Sequence, residues 1–152
     1  MSVSEILPGP AYLDSSALVK LYVSAQSSEQ LDAVLAGRTD LIASDFALTE
    51  ATSAVCRLQR EGALSREAKL GIHRQFLSHA NSGLFELADL NRSVYRAAER
   101  RLLNSGGVPL RAGDALHLAL ALAGGCRTMI TFDHRLAEAS GNNGLFVFPD
   151  SQ

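Results

Sequence analysis

Strand-length apolar runs alternate along this chain with helix-length stretches that open on capping residues and close on glycine. Ala11-Tyr12-Leu13 reads as a strand that stops at the turn Asp14-Ser15-Ser16, after which Ala17 to Val23 is helical. Ser27 and Gln30 form a capping-box pattern for a helix that ends near Gly37. Leu41-Ile42-Ala43 is a second strand. Ser44 or Asp45 can cap the next helix, from Phe46 to Glu61, which stops at Gly62. Ser65 caps a helix reaching Ala80, and Asn81-Ser82-Gly83 breaks it. Leu84 to Leu87 is a third strand, and Asp89 can cap a helix running to Leu103. The stretch Ala112 to Ala123 is apolar on nearly every side, which predicts a buried helix. Thr128 to Thr131 is a fourth strand, followed by Asp133 and a short helix, and Leu145 to Phe148 is a fifth.

Strands alternating with helices in this way imply an α/β fold, a parallel sheet with helices on both faces. The 152 residues suit a single domain with a real core, with no internal repeat. Residues 1–10, which include Pro8-Gly9-Pro10, read as a flexible lead-in, and Asp150 to Gln152 as a frayed tail. The N-terminus has no basic stretch followed by an apolar run, and Leu118 to Ala123 is too short to span a bilayer. The expectation is therefore a cytoplasmic protein without a membrane segment. Cys56 and Cys126 form no C-x-x-C pair and read as reduced, buried thiols.

Composition is that of an ordinary soluble domain, 47% hydrophobic and 20% charged, with a net charge of −2. The distribution changes that picture. From Arg57 to Arg101 nine basic and five acidic residues leave a local charge of +4, so the remainder carries −6. An acidic site with a basic flank could bind a polyanion through both; on charge alone, solvated helix faces are the favoured reading.

Candidate chemistry rests on four acids. Asp14 ends the first strand. Glu50 lies one turn into the helix after the second. Asp114 opens the apolar helix, and Asp133 follows the fourth strand. Each alone has a structural alternative, as a cap or as a first-turn acid favoured by the helix dipole. Together they sit at one edge of the predicted sheet, the carboxyl ends of the strands, where open α/β folds bind ligands. Carboxylates about 4 Å apart repel by roughly 4 kcal/mol per pair at an effective dielectric near 20. A divalent cation relieves that repulsion, and oxygen-only ligands suit Mg²⁺ or Mn²⁺. Asp45 reads instead as a cap, Glu86 as a solvent-facing strand residue, and His117 as a packed or hydrogen-bonding histidine sharing the face of Asp114. His73, His79 and His134 show no ligand spacing. Ser15, Ser16 and Thr131 could donate hydrogen bonds to carboxylates or a phosphate. There is no G-x-G-x-x-G, Walker A or G-x-S-x-G motif, and Asp14-Ser15-Ser16 lacks the D-x-D of a dehalogenase-type phosphatase.

The stretch Tyr12-Leu13-Asp14-Ser15-Ser16-Ala17-Leu18-Val19-Lys20-Leu21-Tyr22 resembles the opening of PIN-domain proteins. Thr49-Glu50-Ala51, Gly113-Asp114-Ala115-Leu116-His117-Leu118-Ala119 and Thr131-Phe132-Asp133-His134-Arg135-Leu136 resemble their later motifs, in order and spacing. The size is similar to that of the VapC-type toxins of toxin–antitoxin pairs. The resemblance implies a three-layer α/β/α domain with a five-stranded parallel sheet. It also implies a Mg²⁺- or Mn²⁺-dependent ribonuclease, a homodimer and a small antitoxin partner. Asp14, Asp114 and Asp133 would hold the metal, Glu50 would bind a second ion or orient a water, and Ser16 would support the first aspartate. The RNA products would carry 5′-phosphate and 3′-hydroxyl ends. Gly113 before Asp114 departs mildly from the family pattern. Arg92, Arg96 and Arg100 form one helical stripe opposite Leu90, Val94, Ala98 and Leu102. With Arg57 or Arg60, that stripe is a candidate RNA contact; plain solvation is the alternative.

Overall fold

Parallel strands cannot be joined by hairpins, so each strand here is separated from the next by at least one helix. In the computed structural model, which describes residues 7–23 and 28–150, the strands are β1 (Ala11–Leu13), β2 (Leu41–Ser44), β3 (Glu86–Ala88), β4 (Thr128–Ile130) and β5 (Phe146–Phe148). The helices among the described residues are α1 (Ser15–Val23), α2 (Ser28–Leu35), α3 (Asp45–Arg60), α4 (Arg66–Asn81), α5 (Arg92–Leu103), α6 (Ala112–Ala123) and α7 (His134–Asn142). The sheet order is β3-β2-β1-β4-β5, and every pairing is parallel. Strand order therefore reverses between β1 and β4, which places a crevice beside the carboxyl end of β1.

Period-2 alternation sorts the core into two layers. Ala11, Leu13, Leu41, Ala43 and Ile130 face α1 to α4, where Leu18, Leu31, Val55 and Phe76 are buried. Tyr12, Ile42 and Met129 face the opposite way, against Val94 and Ala98 of α5, Leu118 of α6 and Leu136 of α7. Tyr12 is in register with both Ile42 and Met129, so its ring stands in a row of apolar side chains below α6. The result is the expected three-layer α/β/α sandwich.

Boundaries differ from expectation where a helix end captures the next residue. Leu84 does not enter β3, because its N–H donates to the His79 carbonyl at 3.0 Å and closes α4. Leu145 does the same with Ser140 at 3.0 Å and closes α7. Gly83 and Gly144 precede them with φ of 81° and 86°, the left-handed conformation such endings require. Of the two candidate caps for α3, Ser44 takes the role, accepting from Ala47 N at 2.9 Å, and Asp45 is a first-turn acid. Asp89 does not cap α5; Asn91 does, accepting from Val94 N at 3.0 Å. Ser65 caps α4 as expected. Ser27 lies outside the described residues, as do 1–6 and 151–152.

The part of the N-terminal lead that is described is tied down. The Leu7 carbonyl accepts from Arg38 Nη1 at 3.0 Å, and the Pro8 carbonyl accepts from Thr128 Oγ1 at 2.6 Å. Both cysteines are free, Cys126 buried but Cys56 only half-buried. On α5, Val94 and Ala98 are buried as expected, whereas Leu102 is 36% exposed at the fraying end. No helix among the described residues is long and apolar enough to cross a membrane.

The reassigned cap gives a direct check. Asn91→Ala should cost about 1 kcal/mol in urea denaturation, while Asp89→Ala should stay within about 0.5 kcal/mol. Equal losses would return the cap to Asp89.

Candidate active site

Asp14 follows β1 at the point where strand order reverses, and it is only 3% exposed. A carboxylate there survives by hydrogen bonding. Its Oδ1 accepts from Ser16 Oγ at 2.7 Å and from Ala17 N at 2.9 Å, so it also helps to start α1. Its Oδ2 accepts from Thr131 Oγ1 at 2.5 Å, across from the end of β4. Burial nevertheless outweighs these bonds and the attraction of His117, and the carboxyl titrates above its ordinary range.

Thr131 ties Asp14 to Asp133. The hydroxyl that donates to Asp14 accepts from Asp133 N at 3.0 Å. Ser16 adds a second tie, its Oγ accepting from Phe132 N at 2.8 Å. Asp133 is the N-cap of α7, its Oδ1 accepting from Arg135 N at 2.9 Å and from Leu136 N at 3.1 Å. Asp114 is not the N-cap of α6. That position is Arg111, and Asp114 reaches back from the third helical residue to accept from Arg111 N at 3.1 Å through Oδ2. Both aspartates thus use one oxygen to hold a helix start.

Glu50 is half-exposed one turn into α3, and its Oε1 lies 2.5 Å from His117 Nε2. His117 Nδ1 is 2.8 Å from the Tyr12 hydroxyl, which is 2.8 Å from Ser44 Oγ. The chain Glu50–His117–Tyr12–Ser44 therefore runs from the surface into the sheet. Burial alone would raise Glu50, but the hydrogen bond and charge of His117 and a hydrogen bond from Ser15 more than compensate, and its carboxyl lies below the ordinary range. Gly113, one turn before His117 on α6, faces the other carboxylate oxygen: a Cβ there would lie 3.1 Å from Glu50 Oε2. The glycine that departs from the expected pattern is thus where the Glu50 carboxylate comes closest to α6.

A cleft of about 530 Å³ opens beside Glu50, lined by Ser15, Ser16, Lys20, Ser53, Arg57 and Phe132 among others. Lys20 sits 5.4 Å from the centre of the Phe132 ring, and both also border a second cleft, of about 390 Å³, that reaches Thr131, Asp133 and His134. Of the candidate RNA-contacting arginines, only Arg57 lines these clefts. Arg60 is exposed one turn farther along α3. Arg92, Arg96 and Arg100 are exposed on α5, with Arg96 paired to Glu99 at 2.9 Å.

The PIN-domain family model matches residues 11–142. The chain belongs to the PIN-domain family. Solved structures share the fold at low identity. VapC20 of Mycobacterium tuberculosis, described as a sarcin–ricin loop cleaving toxin, has a TM-score of 0.67 at 15% identity, over 86% of this chain and 95% of that one. PAE2754 of Pyrobaculum aerophilum gives 0.66 at 19%, over 97% and 92%. FitAcB of Neisseria gonorrhoeae gives 0.66 at 17%, over 91% and 96%. Among curated proteins, no relative matches by sequence.

In this PIN domain the four acids line the carboxyl edge of the sheet. Among the described residues, no three His, Cys, Asp or Glu side chains stand close enough to hold a metal ion as placed. The donor chemistry still suits a hard divalent cation, which commonly binds through one or two carboxylates and keeps several waters. Asp14, Asp114 and Asp133 offer oxygen ligands of that kind. Sequence reasoning missed Tyr12, Ser44, Lys20 and Phe132. Tyr12 looks like an ordinary strand residue and Ser44 only like a helix cap, and their long-range partners alone join them to His117.

Two measurements check this description. Tyr12→Phe leaves Ser44 and His117 each short of a buried partner and should cost about 1–3 kcal/mol in urea denaturation. The raised Asp14 acid makes its stabilising contribution complete below the ordinary pKa of 3.8 and lost as pH rises through the higher folded-state value. In EDTA, the melting-temperature advantage of Asp14→Asn over wild type should therefore grow from acid to neutral pH. A difference independent of pH would contradict the raised value.

Proposed function

We propose that this protein is a divalent-cation-dependent endoribonuclease that acts as the toxin of a toxin–antitoxin pair. The observation that carries this reading is the Asp14–Thr131–Asp133 assembly at the point of strand reversal, where a buried acid is held ready by Ser16, Ala17 N and Thr131. Membership of the PIN-domain family supports nuclease chemistry. The toxin role is supported by the shared fold of VapC20 and of VapBC2 from Rickettsia felis, the latter solved bound to a DNA fragment from the promoter. A small antitoxin protein and a homodimeric assembly belong to the same reading.

Asp14, Asp114 and Asp133 would hold Mg²⁺ or Mn²⁺, and Glu50 would take a second ion or orient a water. When bound, such a cation neutralises phosphate oxygens and makes water more acidic. The chain's own part is to place the phosphate. Lys20 and Arg57, in the cleft beside Glu50, supply positive charge for the RNA backbone. Ser15 and Ser16, on the same wall, spend their hydroxyl hydrogens on Glu50 and Asp14 and so hold those acids in place. Hydrolysis at the bridging 3′ oxygen leaves a 3′-hydroxyl and a 5′-phosphate, so the RNA 2′-hydroxyl need not act as nucleophile. The stripe Arg92, Arg96 and Arg100 is a more distant candidate for the same backbone. Arg101, the next residue, bonds Asn143 beyond the end of α7, so the stripe leads away from the edge where Asp133 begins that helix.

Purified protein should release discrete new 5′-phosphate ends from total cellular RNA in Mg²⁺ or Mn²⁺. EDTA or Asp14→Asn should lower the rate by about 100-fold or more, beyond the usual loss of an outer-shell partner. A folded, metal-binding protein that cuts nothing would instead be a non-catalytic RNA- or protein-binding module.

A further inference from the structure

The hydrogen-bond chain behind Glu50 carries an inference that rests on the ribonuclease reading and deepens it. Glu50 is the longest of the four acids. It is also the one whose carboxylate caps no helix start; Asp14, Asp114 and Asp133 are each fixed by backbone N–H groups. Three rotatable bonds and a half-exposed position would leave Glu50 free to swing into solvent.

Three contacts prevent that, one of them a hydrogen bond from Ser15. Gly113 leaves the space in which Oε2 rests, a Cβ there lying 3.1 Å away. His117 holds Oε1 at 2.5 Å. A carboxylate only accepts, so His117 Nε2 carries the hydrogen of this bond whatever the charge on the ring. The ring itself is 3% exposed and cannot turn. It lies between Phe46 and Tyr12, with ring centres 5.0 and 5.7 Å away. Its other nitrogen is fixed by Tyr12, Tyr12 by Ser44, and Ser44 by Ala47 N at the start of the helix that bears Glu50.

We propose that His117 is a positioning residue: backed by Tyr12 and Ser44, it fixes the Glu50 carboxylate in the orientation the site uses. The chain closes a loop. It begins at the N-cap of α3, crosses β1 and α6, and returns to α3 at Glu50, nearly two turns on, so Glu50 is held relative to β1 and Asp14 instead of drifting with its own rotamers. In metal sites such outer partners orient ligands that would otherwise be mobile.

The test compares wild type, His117→Leu and His117→Gln. Thermal unfolding establishes that each folds, and Gln offers an N–H near the place of Nε2 at similar volume. Mn²⁺ affinity is measured by calorimetry, and kcat and KM on a labelled single-stranded RNA containing a site that wild type cleaves. The expected result is a loss of about 10–100-fold in kcat or in Mn²⁺ affinity for His117→Leu, with KM little changed, and recovery of most of it in His117→Gln. Wild-type behaviour of the leucine variant in both measurements would overturn the proposal. So would an equal loss in both variants, since the ring would then matter only as core volume. If wild type cleaves no RNA, the ribonuclease reading fails by itself and the Mn²⁺ series decides the role of His117. If wild type binds no Mn²⁺ either, both fall.

Discussion

A carboxylate buried at the end of the central strand is the constraint on which this structure turns. Asp14 has almost no contact with water, so its charge must be met by protein groups. Those groups come from both sides of the strand reversal: Ser16 and Ala17 from the start of α1, Thr131 from the end of β4. Satisfying one acid therefore fixes the first turn of α1 and the β4–α7 turn in the same act. Asp133 inherits its place from that turn, because its own N–H bonds the hydroxyl that serves Asp14.

Burial also explains the electrostatic character of the edge. Asp14 is held above its ordinary pKa because the desolvation of its charge exceeds the help it receives. Glu50 is held below because the cost of its burial is outweighed by the hydrogen bond and charge of His117 and a hydrogen bond from Ser15. Two carboxyls at one sheet edge are thus driven in opposite directions by environment alone, a pattern that accompanies functional sites. Basic side chains, Lys20 and Arg57, stand in the cleft beside Glu50 at this acidic edge.

The two faces of β1 divide the work. Ala11 and Leu13 join the apolar layer under α1 to α4, while Tyr12 points the other way into the layer under α6. That single outward turn of the pleat places a phenol where it meets both Ser44 and His117. The polar chain is buried, and each of its links has a partner. It joins strands, α3 and α6 as a rigid backing for the site.

Much of this was legible along the chain. Apolar runs marked all five strands, and glycines and capping residues marked most helix ends, because those signals act within a few residues. Errors were local competitions: Asn91 over Asp89, and helix-closing bonds that took Leu84 and Leu145 from their strands. The sequence by itself determined which acids stand at strand ends and that helices separate the strands, since both follow from short-range periodicity and cap chemistry. Only the tertiary structure decided which strand is central, which oxygens of the acids hold helix starts, and that Glu50, His117 and Tyr12 are partners. Those pairs lie 67 and 105 residues apart. Sheet order and the packing of α6 over β1 and α3 select them, and neither is written in any local pattern.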